Sequence, residues 1–244
     1  MIRRRTAVAA LASPLLLTGC GGGAEATERR APSRRPAPAP AHPTPTRPAP
    51  RGIPGLGPAR TAEIPAHCTQ AVVVTGRGGD SPHCTVVLHQ RTPDGWQAGP
   101  AWPAHNALHG WSGHHTSGDL RSPLGVYTLS DAGGRLPDPG SRLPYHHSGG
   151  FRSPGTGFRR EPLEGSFDYV IAIDYNRRRG TSPLDWTRPL GAERGGGVWL
   201  HVDHGGPTHG CVSIAKAHMK TLLRTLDPHR HPVVAMGYAD WLAH

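Results

Sequence analysis

No stretch of the 244 residues is a credible membrane-spanning helix. The one apolar run near the N-terminus, Ala7 to Leu17, is too short, since a spanning helix needs about 20 residues. Cysteine is scarce at four, and neither HExxH nor a Cys/His zinc ribbon occurs, so the chain lacks the common zinc spacings. No helix-turn-helix, zinc-finger or RNA-binding signature accompanies the formal net charge of +10. That charge is also unevenly placed. Ten arginines lie before residue 63 against Glu25 and Glu28, whereas from residue 63 onward seventeen basic residues face fifteen acidic ones. The later part is nearly neutral, and nucleic-acid binding has no support. Large apolar residues are almost missing between about Gly21 and Thr61, which is Pro, Ala, Gly, Arg and Thr. Such a segment cannot bury enough surface to offset its ordering entropy. It reads as an extended linker, whose basic residues suit contact with anionic wall polymers or lipid headgroups.

What is present divides the chain into three parts: a leader over 1–19, the linker over 20–62 and a folded domain over 63–244. Arg3-Arg4-Arg5 ahead of the short apolar run gives the leader the form of a secretory signal. In the domain, short apolar runs are punctuated by Gly and Pro: Ala71 to Thr75, Thr85 to Gln90, Gly125 to Leu129, Tyr169 to Tyr175, Val198 to Asp203 and Val233 to Met236. Only Ile214 to Leu226 reads as a helix, with Ala215, Met219, Leu222, Leu223 and Leu226 at helical spacing. The pattern predicts a mostly β domain, sandwich or barrel-like, with one main α-helix.

The chemistry concentrates in one stretch. Val198 to Asp203 alternates, placing Val198, Leu200 and Val202 on one face and Trp199, His201 and Asp203 on the other. Gly205-Gly206-Pro207 turns the chain back into Thr208-His209-Gly210-Cys211-Val212-Ser213, and Ser213 is read as the N-cap of the helix. An adjacent imidazole, backbone N–H groups and a helix N-terminus are expected to lower the Cys211 thiol pKa. Cys211 is the candidate nucleophile, His201 the general base, and the Gly210 and Cys211 N–H groups the oxyanion donors. A carbonyl in the Val202 to His204 turn would orient the imidazole, with Asp203 as a substitute. His209, two residues from the nucleophile, is given a substrate-binding or pKa-tuning role. His204, His209, His114-His115 and His146-His147 invite a metal reading, but adjacent His pairs are usually solvated, and neither a metal nor a cofactor is expected. Cys68 and Cys84 flank one β-run. They are expected to form a disulfide in an oxidising exterior, with free buried thiols as the alternative.

These residues resemble the L,D-transpeptidase (YkuD) catalytic domain, whose signature is a His followed by a Ser/Thr-x-Gly-Cys turn. They are closest to the branch with short His-to-Cys spacing. Gly118 to Tyr127 (GDLRSPLGVY) resembles the Gly-Asp-x-x-Thr-Pro-x-Gly-x-Phe/Tyr segment, Tyr169 to Asn176 (YVIAIDYN) the strand ending in Tyr-Asn, and Gly195 to His201 the Gly-rich approach to the catalytic His. Ser213 stands where many members carry Arg or Asn. Leu17-Thr18-Gly19-Cys20 resembles a bacterial lipobox, with lipid on Cys20. The resemblance implies a β-sandwich with Cys and His in a cleft on one sheet, and it suggests Tyr127, Tyr175, Asn176, Thr208 and Ser213 as substrate-binding positions. It also implies a cysteine acyltransferase that acts on peptidoglycan stem peptides, releases D-alanine and forms 3→3 cross-links. The chain would sit in the cell envelope, lipid-anchored on the outer face of the cytoplasmic membrane. The alternatives are an L,D-carboxypeptidase using the same thioester, a non-catalytic wall-binding lipoprotein and, more distantly, a zinc hydrolase.

Overall fold

The computed structural model describes residues 52–244. The leader, most of the linker and the lipidation candidate Cys20 lie outside the described residues. Twelve strands follow in chain order: β1 (Gln70–Gly76), β2 (His83–Thr92), β3 (Gly95–His105), β4 (Trp111–Ser112), β5 (Ser122–Pro123), β6 (Gly125–Thr128), β7 (Ala132–Gly134), β8 (Tyr145–His147), β9 (Val170–Ala172), β10 (Trp199–Val202), β11 (Val212–Ile214) and β12 (Val233–Tyr238). The α-helices among the described residues are α1 (Pro58–Ala62), α2 (Lys216–Thr225) and α3 (Ala239–Leu242). Ten strands form one sheet in the order β6-β12-β1-β2-β3-β11-β10-β9-β7-β8, while β4 and β5 pair separately.

The domain is therefore mostly β, as the pattern predicts, and its layered core comes from one sheet that curls. Val72, Val74 and Val86 from one half of the sheet and Ile171, Leu200 and Val212 from the other enter a single apolar cluster with Met219, Leu222 and Leu223 of α2. Burying each Leu of that helix contributes roughly 1.5–3 kcal/mol. The opposite side of β1 packs a second cluster, Ala71 and Val73 with Ile53, Val233 and Leu242. Burial on both faces explains why β1 reads as a continuous apolar run instead of an alternating one.

Four expectations need correction. The packed region begins before residue 63. Ile53 is buried, the Gly57 N–H donates to Leu242 O at 2.8 Å, and the Ala59 N–H donates to His244 O at 2.9 Å, so residues 53–62 belong to the domain and not to the linker. Ser213 is not an N-cap: it lies in β11, and α2 starts at Lys216 after Ala215, without a side-chain cap bond. The strand expected over 169–175 shortens to Val170–Ala172.

Finally, Cys68 and Cys84 are unpaired. The register sets Gly76 against Cys84, and Cys68 precedes the far end of β1. Eight residues of extended chain span roughly 25 Å, whereas a disulfide requires Cα atoms within about 7 Å. The two thiols also sit in different clusters. Burial raises the pKa of both.

Candidate active site

The alternation read from residues 198–203 sorts chemistry from core. Val198, Leu200 and Val202 enter the main cluster, while Trp199 and His201 project from the other face of β10. β11 runs parallel to β10 with Leu200 beside Val212 and His201 beside Ser213. Continuing that register puts Cys211 beside Trp199, whose backbone N–H points at Sγ, 3.4 Å away. Parallel partners share a face, so Cys211 and His201 lie on the same face of adjacent strands, one diagonal apart. Strand geometry sets that diagonal at roughly 8 Å between Cα atoms. No hydrogen bond joins the two side chains; the thiol instead donates to Gly197 O at 3.6 Å.

The turn that carries Cys211 is held by several bonds. Thr208 Oγ1 donates to Cys211 O at 2.6 Å, Ser122 Oγ donates to the same carbonyl at 3.4 Å, and Thr208 exchanges backbone bonds with the 106–108 segment. None of the turn and loop hydrogen bonds among the described residues uses the Gly210 or Cys211 N–H, which leaves both as donors for an oxyanion. Opposite the turn runs Gly195-Gly196-Gly197, with φ of +65°, +145° and +67°. Only glycine holds such a run without strain, and it brings the Gly197 carbonyl to the thiol.

His201 is 3% exposed, and its Nδ1 is 2.9 Å from Val202 O. The backbone carbonyl accepts from Nδ1–H and thereby fixes the tautomer with a basic Nε2. Asp203, the proposed substitute, is occupied elsewhere. It accepts from Ser213 Oγ at 2.6 Å, lies 2.8 Å from His105 Nδ1 and accepts from the Gly205 N–H at 3.2 Å. Burial alone would raise the Asp203 carboxyl, but the His105 and Ser213 bonds outweigh it and hold the group below its ordinary value. Phe167 packs edge-on against both Trp199 (4.9 Å) and His201 (5.3 Å), and His204 stacks on His201 at 5.8 Å.

The electrostatics run opposite to the expected lowering of the thiol. Burial pushes Cys211 up to about 11, only partly countered by the Trp199 N–H, and burial pushes His201 down to about 4. The start of α2 is five residues beyond Cys211, too far for its dipole to help. The resting pair is therefore a neutral thiol and a neutral imidazole. Catalytic bonds of this kind often tighten only when substrate arrives.

The remaining candidates separate. Thr208 and Ser213 are buried and brace the site through the bonds above, so their hydroxyls are not free for substrate. Tyr127 donates to Leu124 O at 2.6 Å and packs on the core, and Tyr175 donates to Arg194 O at 2.8 Å. Asn176 uses its amide fully: Nδ2 donates to Gly191 O at 2.9 Å and Gly195 O at 2.6 Å, while Oδ1 accepts from the Leu190 N–H. These three hold the glycine-rich loop and core in place. His209 is exposed and packs on Phe158 at 4.7 Å, and His204 lies 3.2 Å from Glu161 Oε1. Among the described residues no three His, Cys, Asp or Glu side chains converge as metal ligands.

One residue near the nucleophile escaped sequence reasoning as a site member. His115, expected in a solvated pair, is 5% exposed and wedged between two glycines. A Cβ on Gly195 would meet its Nε2 at 2.8 Å, and one on Gly210 its Cε1 at 3.8 Å. Its Nδ1 is 2.9 Å from Asp119 Oδ1, an ion-pair distance without hydrogen-bond alignment. Phe167 and Trp199 likewise carried no signal beyond being aromatic.

No curated protein matches the chain in sequence. Among solved structures it is similar to Bdellovibrio bacteriovorus Bd1075, at 14% identity and a TM-score of 0.35, over 71% of this chain and 49% of that one. The chain thus spans about half the length of that protein. The L,D-transpeptidase catalytic domain (YkuD) matches residues 70–234, from the first strand of the sheet through the His201 and Cys211 strands and into β12. With that match spanning most of the chain and every strand of the site, the chain belongs to the L,D-transpeptidase catalytic domain family.

Proposed function

We propose that the protein is a cysteine acyltransferase acting on peptidoglycan stem peptides. The observation that carries this reading is the placement of Cys211 and His201 on one face of parallel neighbours, with the imidazole tautomer fixed by Val202 O. The thiol proton passes to His201 Nε2 as the thiolate adds to the carbonyl of the third, diamino acid residue. The Gly210 and Cys211 N–H groups receive the oxyanion. Collapse breaks the C–N bond, the imidazolium proton goes to the departing D-alanine amine, and a thioester remains. An acceptor side-chain amine then attacks the thioester, gives its proton to His201 and expels the thiolate, which is reprotonated. The exchange is one amide for another, so no cofactor is needed. The same reading places the chain in the cell envelope, held by lipid on Cys20, and this rests on the leader sequence alone.

Purified full-length protein incubated with disaccharide-tetrapeptide, beside Cys211→Ala, tests the reading by mass spectrometry. A dimer lighter by one alanine, lost in the variant, is the expected result. Tripeptide without dimer would mean that water, not an amine, resolves the thioester. Binding without any product would favour the wall-binding lipoprotein.

A further inference from the structure

Beside the thiol and imidazole lies a groove of about 640 Å³ to which, of the site residues above, only Phe167 contributes. Its size is that of a small-ligand site. Phe151 and Phe167 line it, and both rings also pack edge-on against Trp199, at 5.8 and 4.9 Å, in the cluster that Cys211 joins. The groove and the reacting pair therefore share a wall, one ring thick at Phe167.

The groove is also charged. Arg135 and Arg152 both line it, with Glu164 as the lining carboxylate. Arg135 spends Nε and Nη2 on Asp168 Oδ1, at 3.1 and 3.0 Å, and Arg152 spends Nε on Gly149 O at 2.9 Å. A guanidinium has donors on all three nitrogens, so Nη1 of Arg135 and both Nη groups of Arg152 have no partner among the described residues. Glu164 makes no hydrogen bond or ion pair among the described residues. Two guanidinium groups beside apolar rings fit a carboxylate on a short aliphatic arm. The lone Glu164 disfavours a dianion such as phosphate and suits an ammonium next to that carboxylate.

We infer that the Arg135–Arg152 groove binds a free carboxylate of the peptide whose carbonyl is presented to Cys211. The identity of the peptide rests on the acyl-transfer reading. Two carboxylates of a tetrapeptide stem share this chemistry: that of the departing terminal alanine and, where the diamino acid is dicarboxylic, that at the end of its side chain.

The test reads binding apart from chemistry. Full-length Cys211→Ala protein is titrated by calorimetry with three stem tetrapeptides: unmodified, amidated at the terminal alanine, and amidated at the diamino acid side chain. Arg152→Gln, at an exposed residue bonded only to a carbonyl, is expected to weaken the unmodified peptide about tenfold, with Arg152→Lys recovering part of the loss. One amidated peptide should bind the parent about tenfold more weakly and be indifferent to Arg152→Gln; which one it is names the source. Equal affinities for all three peptides, with and without Arg152→Gln, would overturn the inference. Thioester formation by the unsubstituted protein, followed by intact mass, judges the acyl-transfer reading separately. A protein that acylates normally yet shows equal affinities keeps its function and loses this site.

Discussion

The two ends of the sheet are built by different rules. Around β1, β2 and β12 the strands run 7, 10 and 6 residues, their register is continuous with β1, and Val72, Val74, Val234 and Met236 are fully buried. Around β9, β10 and β11 they run only 3, 4 and 3 residues, and buried polar groups gather there: Ser166, Asp168, His201, Thr208 and Ser213. Long paired strands satisfy their own backbone and need only apolar neighbours. Short strands end in loops, and those loops must be held by side chains such as Asn176, Thr208 and Asp203. The first end supplies rigidity; the second leaves the Cys211 thiol with only long contacts, at 3.4 and 3.6 Å. The two ends should therefore fail in opposite ways when disturbed.

The sharpest break is Cys211→Ala. It removes the proposed nucleophile, so turnover of tetrapeptide should fall at least about a thousandfold. Its thiol makes only long contacts, at 3.4 and 3.6 Å, and the melting midpoint should move by no more than about 2 °C. Met236→Ala at the other end inverts this result. Truncating a fully buried Met in β12 costs about 2–5 kcal/mol and lowers the midpoint by roughly 5–15 °C, with activity per folded molecule unchanged within about twofold. A thermal melt beside a product assay checks both. If Met236→Ala abolished activity in folded protein, the two ends would not be separable.

Sequence legibility follows the same division. Period-two alternation put His201 opposite Leu200 correctly, because which face a strand residue takes is local information. The motif order singled out the candidate nucleophile, since a Thr-x-Gly-Cys turn announces itself through its glycine. The partners across space were not legible. Tyr127, Tyr175 and Asn176 read as groove residues. Tyr127 spends its hydroxyl on the nearby Leu124 carbonyl, while Tyr175 and Asn176 bond backbone groups of the 190–195 segment, which no local pattern announces. Ser213 resembles a cap until β11 is seen to pair with β10 and aim its hydroxyl at Asp203. β3 was not anticipated because Pro100 and Pro103 argue against a central strand. It is accommodated by a register shift between Val87 and His89 of β2. His115 read as a solvated pair member because its burial depends on Gly195 and Gly210, far away in the chain.

Each end also buries a histidine whose pKa is lowered by desolvation, and acid should distinguish them. His89 of β2 is 3% exposed, its pKa lowered by desolvation; His201 is lowered by the same cause to about 4. A base whose folded pKa lies below its unfolded value, near 6.5, leaves stability intact above that value. Stability is then lost as pH falls through the window down to the folded pKa. As pH falls below about 6.5 both histidines should thus destabilise the fold, His201 down to about 4. His201→Asn and His89→Gln should each flatten part of that slope in pH-dependent denaturant melts. Only His201→Asn should also abolish the acidic limb of the rate profile. An unchanged slope in both would remove His89 and His201 as the source of acid sensitivity.

The smallest expected effect is none, and it is the most diagnostic of the register. Cys68 lies before one end of β1 and Cys84 faces its other end, in different apolar clusters. A disulfide closing a loop of about 15 residues would be worth roughly 3 kcal/mol, which for a domain of this size is several degrees in the midpoint. With both thiols free, excess reductant should leave the midpoint within about 1 °C, and denatured protein should titrate both cysteines with a thiol reagent without prior reduction. A fall of several degrees on reduction would require a strand pairing other than Gly76 with Cys84. That would move β1 relative to β2, at the end of the sheet argued to be the rigid one.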